Sequence, residues 1–398
     1  MPPIETVIEG GAAAKSMTST ERTPLTTTFV LKVAERCNLN CSYCYMYNKG
    51  DTPYLERPKF LSIETATVAL ERIAAYARRH SLPQITVVLH GGEPLLIGRE
   101  WVQQFLEERD RVETPPEVTL NVAVQTNGTL LDAEWVALFN QHKVTIGVSC
   151  DGPEQVNDLL RVDFDGRSSY AKVRSALELL CKTSGTRWGV LTVVNPETQG
   201  SEVLKHFVQL GVRSVDFIWP DFNHDVRPPW PESMLANYFC ELFDYWYELP
   251  SPPRIRYFES AMSLLVGGRS ECDALGLHPF ADIMVESDGA WEPLDTLRIC
   301  GNGITRTGLN VRRNDVEAVW DVPLFRMGLR SKELLAPKCQ ECAYRRICGG
   351  GYLPHRYGRD TGIANPSVYC AELLILLPHI RERIAADLER AGLLAASV

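Results

Sequence analysis

The stretch FVLKVAERCNLNCSYC, residues 29–44, joins a run of apolar and β-branched residues to three closely spaced cysteines. The run 29–34 predicts a strand, because β-branched side chains favour extended backbone. Cys37, Cys41 and Cys44 follow it within eight residues. Three thiolates suit an iron–sulfur cluster with one iron left open to another ligand, whereas a structural zinc ion takes four protein ligands. A fourth ligand from elsewhere in the chain keeps zinc as an alternative.

Strand-like and helix-like segments alternate from this stretch to about residue 247. Ser62 is a predicted helix N-cap, with Glu64 in the first turn. The alternation predicts an α/β fold with a parallel sheet, in the form of a partial (β/α)6 TIM-like barrel with its reacting residues at the C-terminal strand ends. The predicted strands are 29–34, 85–90, 119–125, 144–149, 188–194 and 214–220. The predicted helices begin at Ser62 and cover 98–109, 132–141, 168–182, 201–210 and 231–247.

The length of 398 residues predicts two or three domains. Residues 1–24 are small and polar and predict a flexible N-terminal tail. Residues 25–248 form the predicted core domain, and the proline-rich segment within 249–270 predicts a linker. Residues 271–398 hold six cysteines among turn-rich sequence and end in a predicted helix over 371–392.

The net charge of −9 argues against binding to nucleic acid, which requires Lys and Arg at phosphates. No run of eighteen apolar residues predicts a membrane span, and the N-terminus lacks the pattern of a secretory signal. We therefore expect a cytoplasmic protein without a membrane partner. In a reducing compartment its twelve cysteines are expected to be metal ligands, nucleophiles or small buried residues instead of disulfides.

Polar motifs follow the predicted strands two, three and four. His90-Gly-Gly-Glu-Pro94 places two glycines and the carboxylate of Glu93 behind the second strand. Glycines allow a ligand to approach the backbone closely. Gln125-Thr-Asn-Gly128 and Ser149-Cys-Asp-Gly152 follow the next two strands. These side chains are therefore expected to gather at the mouth of the barrel.

A second cysteine pattern lies near the C-terminus. Cys339, Cys342 and Cys348 have the spacing Cys-x2-Cys-x5-Cys, and Cys370 follows. Four thiolates match a four-iron cluster in which every iron has a protein ligand. A zinc ribbon is the alternative.

Together, the cysteine motif and the strand-end motifs resemble the radical SAM superfamily. The resemblance implies that Cys37, Cys41 and Cys44 hold a [4Fe-4S] cluster whose open iron binds S-adenosylmethionine. One electron would then release a 5′-deoxyadenosyl radical. The implied cofactor-binding residues are Tyr43 near the adenine, Gly91, Gly92 and Glu93 at the ammonium group, Ser149 and Arg161 at the carboxylate, and Asn127 and Asp151 nearby. Simple packing remains the alternative for Tyr43, as a plain turn does for Asp151.

The C-terminal cysteines resemble the SPASM extension of radical SAM peptide-modifying enzymes, which implies at least one auxiliary [4Fe-4S] cluster. Two positions depart from the pattern of a second auxiliary cluster, because Leu294 and Tyr352 stand where cysteines belong. That cluster is either absent or held by an altered set that includes Cys272 and Cys300. The resemblance implies that Asp295 takes a proton from the substrate, although a turn carboxylate is the alternative.

The segments CGGGYLPHRY, residues 348–357, and NPSVYC, residues 365–370, are similar to those of SPASM maturases that form three-residue cyclophanes. This similarity implies a ribosomally made precursor peptide as substrate and a flavodoxin or ferredoxin as electron donor. The implied reaction removes a side-chain β-hydrogen and joins that carbon to an aromatic ring carbon. An anaerobic sulfatase-maturating enzyme, which forms formylglycine, is one alternative. A non-catalytic iron–sulfur or zinc scaffold is the other.

Overall fold

A computed structural model of the chain describes residues 26–113, 117–278, 282–329 and 335–390. The predicted tail 1–24 lies outside these residues. The chain divides into two compact units, each assembled from separate segments. The first unit comprises residues up to 150, 157–190 and 279–330, and the second comprises 151–156, 191–278 and 331–398.

The first unit is built on a mostly parallel β-sheet. Its central strand β1 pairs in parallel with β2 on one side and with β7 on the other, with Val30 opposite Val88 and Met284. The strand order is β6-β5-β4-β3-β2-β1-β7-β8, and the boundary between the two units falls within β5. The strands are β1 (Thr28–Ala34), β2 (Gln84–Gly91), β3 (Thr119–Thr126), β4 (Thr145–Ser149), β5 (Trp188–Val193), β6 (Val215–Ile218), β7 (Ile283–Val285) and β8 (Trp291–Glu292).

Helices follow the first six strands, as expected for βα units. In the N-cap of the first helix, the Ser62 side chain accepts a hydrogen bond from the backbone N–H of Thr65. The α-helices are α1 (Ile63–Arg79), α2 (Arg99–Val112), α3 (Ala133–Gln141), α4 (Glu154–Leu160), α5 (Tyr170–Lys182), α6 (Gly200–Leu210), α7 (Met234–Glu248), α8 (Arg256–Leu265), α9 (Pro323–Leu329), α10 (Pro337–Gln340), α11 (Arg345–Cys348) and α12 (Cys370–Arg390).

Each unit has an apolar interior of its own. In the first unit, Phe29 of β1 is fully buried and makes edge contacts with Tyr76 and Trp291. In the second unit, Trp219 stacks on Phe239 with ring centroids 4.6 Å apart. These aromatic contacts pack the interior of each unit.

Two features differ from the sequence-based expectations. The predicted linker 249–270 contains the helix α8, because Tyr257 and Phe258 behind its prolines are buried core residues. The compact units also do not coincide with the predicted boundaries at 248 and 271. Strand β7 explains part of this difference, since it belongs to the sheet of the first unit although it lies beyond residue 271.

Among the described residues, no helix combines the length and the apolar character that a membrane span requires.

Candidate active site

The three-cysteine loop begins directly behind β1 and is folded by its own backbone. The N–H of Cys44 donates to the carbonyl of Cys41 at 3.0 Å, and that of Asn48 donates to Cys44 at 2.8 Å. The N–H of Asn40 donates to the carbonyl of Val162 at 2.8 Å. These bonds hold the loop at the carboxyl end of the sheet, as predicted from the position of the motif.

Cys37 has polar neighbours that suit a thiolate. Its sulfur accepts a hydrogen bond from the N–H of Leu39 at 3.4 Å and from the side-chain amide of Asn127 at 3.7 Å. The amide of Asn127 also donates to Asn38 at 2.8 Å. Burial raises the pKa of the Cys37 thiol to about 12 and that of Cys44 to about 11. Thiolates at this site therefore need the positive charge of a bound metal.

Gly91 and Gly92 let the end of β2 approach the start of the cysteine loop. The N–H of Gly92 donates to the carbonyl of Ala34 at 2.7 Å. A Cβ atom on Gly92 would lie 2.3 Å from the carbonyl oxygen of Arg36 and 2.1 Å from the hydroxyl of Tyr47. Only glycine fits this contact. The residues implied to bind the ammonium group thus also position the loop.

Glu93 is fully buried and fastens the end of β2 to the end of β3. Its carboxylate accepts hydrogen bonds from the N–H of Leu95, the hydroxyl of Thr126 and the N–H of Asn127, at 3.0, 2.7 and 2.7 Å. Burial raises the pKa of Glu93, although these donors and the charge of Arg161 oppose the rise. A carboxylate has about four acceptor positions, so one remains for a ligand.

Ser149 and Arg161 lie in the first unit with the cysteine loop. The side-chain amide of Gln125 donates to the Ser149 hydroxyl at 2.9 Å. The Arg161 guanidinium donates to the Tyr43 hydroxyl at 2.5 Å. The structure therefore brings Tyr43, beside Cys44, together with a guanidinium suited to a carboxylate. Their roles toward the cofactor stay predictions.

Asp151 belongs to the second unit and is buried. Its carboxylate accepts a hydrogen bond from the N–H of Val193 at 3.0 Å, at the end of β5. Gly152 next to it has φ +133°, a conformation that disfavours other residues. The structure thus gives Asp151 a structural partner, and its contact with the cofactor sugar or a substrate stays a prediction.

Asp295 lies in a buried polar cluster of the first unit. Its Oδ2 atom forms an ion pair with the ammonium group of Lys32 and accepts a hydrogen bond from the Tyr45 hydroxyl. The ammonium group also lies 3.1 Å from Nδ1 of His90. Burial alone would raise the pKa of Asp295, but the charge of Lys32 and the two hydrogen bonds outweigh it and hold the pKa below its ordinary value. Asp295 is therefore an ionised carboxylate.

A network of buried ion pairs supports the helical turn Asp295–Cys300. Arg298 is buried and donates to Asp51 at 2.8 Å and to Glu286 at 2.7 Å. Arg57 donates to the same Glu286 at 2.8 Å. Lys32, Arg57 and Arg298 were not predicted from the sequence. An unexpected charge inside an apolar strand, as at Lys32, was the signal available in the sequence.

The second unit gathers the four C-terminal cysteines. Cys339 lies in α10, Cys348 ends α11, and Cys370 begins α12. The thiol of Cys348 interacts electrostatically with those of Cys339, Cys342 and Cys370. Burial raises its pKa to about 12. The predicted four-thiol set is therefore assembled within one compact unit.

Three consecutive glycines shape the loop behind Cys348. Gly349, Gly350 and Gly351 have φ of +62°, +86° and +79°, in the left-handed region. A Cβ atom on Gly349 would lie 1.8 Å from the carbonyl oxygen of Gly276. The buried guanidinium of Arg356 interacts electrostatically with Cys339 and Cys348. No role of Arg356 was predicted from the sequence, and its charge suits a neighbouring group of thiolates.

Cys272 and Cys300 fall in different units. Cys272 lies in the second unit, where Tyr257 interacts electrostatically with both Cys272 and Cys348. Cys300 lies in the first unit and is buried. Their predicted participation in an altered cluster stays a prediction. In the described part of the chain, no group of three or more His, Cys, Asp or Glu side chains surrounds a position for a single metal ion.

Both donor sets fit the predicted clusters by their chemistry. The first set offers three thiols, amide donors to one of them, and glycines that leave room beside the loop. The second set offers four thiols and a buried guanidinium. Thiolate ligation and hydrogen bonds to sulfur are the protein's usual contributions to iron–sulfur sites.

Comparison with known proteins agrees with this chemistry. The profile described as the Radical SAM superfamily matches residues 31–208. A serine-type anaerobic sulfatase-maturating enzyme of Klebsiella aerogenes is 30% identical over 349 residues, or 84% of this chain and 81% of that protein. Native anSMEcpe with bound AdoMet and Kp18Cys peptide has a TM-score of 0.79 at 22% identity, over 91% of this chain and 99% of that one. Streptococcus suis SuiB bound to precursor peptide SuiA has a TM-score of 0.59 at 17% identity, over 86% of this chain and 75% of that one.

The chain therefore belongs to the radical SAM superfamily, in the family that includes the anaerobic sulfatase-maturating enzymes. It is thus a radical SAM enzyme. The predicted α/β fold with a mostly parallel sheet is confirmed.

Proposed function

We propose that this enzyme oxidises a peptide substrate by two electrons, starting at one side chain, and that Asp295 accepts the proton released. The observation that carries this proposal is the state of Asp295. Lys32 and Tyr45 hold it as a buried anion in the same compact unit as the three-cysteine loop. An ionised carboxylate can accept a proton when it lies within hydrogen-bond reach of the reacting group, so its charge and its fixed position support this role.

Cys37, Cys41 and Cys44 would hold the cluster, as their spacing implies. Glu93 would bind the ammonium group of S-adenosylmethionine, and Ser149 and Arg161 would bind its carboxylate. Tyr43, Gly91, Gly92, Asn127 and Asp151 would line the rest of the cofactor site. When bound, these groups would supply the radical chemistry that removes one hydrogen atom from the substrate.

The oxidation balances if the substrate loses a hydrogen atom, a proton and an electron. The proton goes to Asp295. The electron requires an acceptor, which an auxiliary [4Fe-4S] cluster on Cys339, Cys342, Cys348 and Cys370 would supply. A flavodoxin or ferredoxin is the proposed donor of the electron that starts each turnover. A non-catalytic scaffold would not require Asp295 to be kept ionised.

Conversion of a serine or cysteine side chain to formylglycine is the first candidate for the outcome. It is the reaction expected of an anaerobic sulfatase-maturating enzyme, and one relative with that name is 30% identical over most of both chains. In this reaction the proton passed to Asp295 comes from the hydroxyl or thiol of the substrate. The peptide named with anSMEcpe and the precursor peptide named with SuiB support a peptide as partner.

A cyclophane crosslink in a precursor peptide is the second candidate, and the ligand positions favour it. Leu294 is buried where a cysteine of a second auxiliary cluster is expected, and Tyr352 occupies another such position. A sulfatase-maturating enzyme is expected to keep that cluster. In the crosslinking reaction, the proton passed to Asp295 comes from an aromatic ring after carbon–carbon bond formation.

The test uses the reduced, iron-loaded enzyme with S-adenosylmethionine and two sets of peptides. One set carries a serine or cysteine in a sulfatase-type sequence, and the other carries an aromatic residue two positions from an aliphatic one. Oxidation of serine and a crosslink both remove two hydrogens, so mass alone does not separate them. A hydrazide reagent traps the aldehyde of formylglycine, whereas tandem fragmentation locates a crosslink.

We expect modified peptide from the wild-type enzyme in one of the two sets. The Asp295→Asn variant should still form deoxyadenosine and lose most of the product, because hydrogen abstraction precedes proton transfer. Deoxyadenosine formed alongside unchanged peptide in both sets would contradict the proposal.

A further inference from the structure

The two oxygens of Asp295 have different surroundings. Oδ2 receives both the ion pair from Lys32 and the hydrogen bond from the Tyr45 hydroxyl. In the described part of the chain, Oδ1 receives no hydrogen bond. The side chain of Asp295 is 11% exposed to solvent. A carboxylate whose one oxygen is held by two donors presents the other in a fixed direction.

Lys32 is fully buried in the middle of β1. Its ammonium group has three polar neighbours besides Asp295, namely Nδ1 of His90 at 3.1 Å, the Tyr45 hydroxyl at 3.3 Å and the thioether of Met46 at 3.7 Å. A charged lysine is rare in the interior unless it is paired. All three of its donor hydrogens therefore have acceptors, and its position is fixed by the strand and by the cysteine loop.

The other charged groups around Asp295 do not replace Lys32. Burial and the charge of Lys32 lower the pKa of His90 to about 3, so that ring is neutral. Glu286, directly after β7, is an anion that interacts with Lys32. Arg298, on the same helical turn as Asp295, directs its guanidinium to Asp51, Glu286 and Glu292. Lys32 is thus the cation that directly contacts the carboxylate.

We propose that Lys32 is a positioning residue for proton transfer: with Tyr45 it holds Oδ2 of Asp295, so that Oδ1 is the oxygen that takes the substrate proton. This inference rests on the proposed role of Asp295 as proton acceptor. Asp295 would thus be oriented by a residue of β1, the strand that directly precedes the three-cysteine loop.

The Lys32→Met variant tests the inference, since it removes the charge and the donor with little change in volume. Without Lys32, burial prevails and the pKa of Asp295 rises, so the acid limb of the kcat profile should move to higher pH by about 1–3 units. Because the carboxylate of Asp295 is then no longer held in one orientation, kcat should fall by about 10–100-fold with little change in the KM for peptide. Deoxyadenosine formed per product should rise, because hydrogen abstraction does not use Lys32.

Three further variants keep the test decisive if Lys32→Met folds poorly. Lys32→Met combined with Asp295→Asn removes both charges and should recover folding without recovering product. Tyr45→Phe removes the other donor to Oδ2. It should shift the acid limb of the kcat profile, lower kcat and raise deoxyadenosine per product, each by less than Lys32→Met. Lys172→Met, at an exposed position of α5, is the matched control and should equal the wild type.

The outcomes separate this inference from the proposed function. A folded Lys32→Met or Tyr45→Phe enzyme with an unchanged pH profile and unchanged deoxyadenosine per product would overturn the positioning role. If Asp295→Asn itself forms product at the wild-type ratio, the proposed proton acceptor fails instead.

Discussion

The two cysteine sets of this chain have different surroundings. The three-cysteine loop has polar neighbours, and the amide of Asn127 contacts the sulfur of Cys37. The C-terminal set has four mutually interacting thiols, three left-handed glycines and the guanidinium of Arg356. With three thiols, the first set would leave one iron of a four-iron cluster accessible. With four thiols, the second set would supply a ligand to every iron.

At each site the number of thiol ligands agrees with the neighbouring side chains. Three thiols occur where Glu93, Ser149 and Arg161 offer groups for an amino acid ligand. Four thiols occur where the neighbouring backbone is closely packed, as at Gly349. We therefore expect loss of the first set to stop radical generation, and loss of the second to stop only the oxidation of the substrate radical.

Removing one cysteine from each set should separate the functions of the two sets. Cys41→Ala should abolish both deoxyadenosine and product, because the cofactor then has no cluster to bind. Cys342→Ala should keep deoxyadenosine formation and lose product, because only the electron acceptor is removed. Chromatography with mass detection measures both compounds in one assay. A folded Cys342→Ala protein that forms no deoxyadenosine would show that the two sets do not work separately.

Gly349→Ala should damage the C-terminal set alone. The strained φ costs about 1–3 kcal/mol of the free energy of unfolding, and the contact with Gly276 adds to it. Gly267→Ala is the matched control, because Gly267 has φ +85° but no neighbour within 4 Å. Denaturant unfolding and iron content measure the difference. Equal losses in the two variants would mean that the close approach to Gly276 is unimportant.

Asn127→Ala should change the first cluster and spare the second. Loss of an amide that contacts a ligating sulfur lowers metal affinity or activity by about 10–100-fold and shifts the reduction potential. A redox titration followed by electron paramagnetic resonance measures the potential of each cluster. Asn237→Ala, at an exposed position of α7, serves as control. A shift in the potential of the second cluster instead would contradict this assignment.

The smallest expected effect concerns Cys272 and Cys300. If the altered second auxiliary site is degenerate, the wild-type enzyme carries about eight irons per chain. Cys272→Ser and Cys300→Ser should then leave the iron content unchanged. About twelve irons in the wild type, with about four lost in either variant, would establish a further cluster.

Locally encoded features were predicted well from the sequence. The predicted strand 119–125 is observed as Thr119–Thr126, and Ser62 caps the first helix as expected. Short-range periodicity and side-chain caps determine such elements. The cysteine motifs could be recognised from the sequence equally well, because their spacing alone limits the ligand chemistry.

Features that depend on distant contacts were not predicted. Lys32 and Asp295 are separated by 263 positions, so their pairing has no local pattern. Strand β7 has only three residues, too few for a sequence pattern, and its pairing with β1 defines it as a strand. Arginine is mostly found at protein surfaces, whereas Arg298 is fully buried among carboxylates. Tertiary packing decides such positions.

The parallel pairing of β1 with β7 has a consequence for synthesis of the chain. Phe29, Val30 and Leu31 receive their second neighbouring strand only when residues 283–285 have left the ribosome. A fragment that ends at the predicted boundary of 248 would therefore display an open strand edge, which promotes aggregation. Nascent chains of this enzyme need protection until well over half of the protein has been made, and its first strand is among the last to be completed.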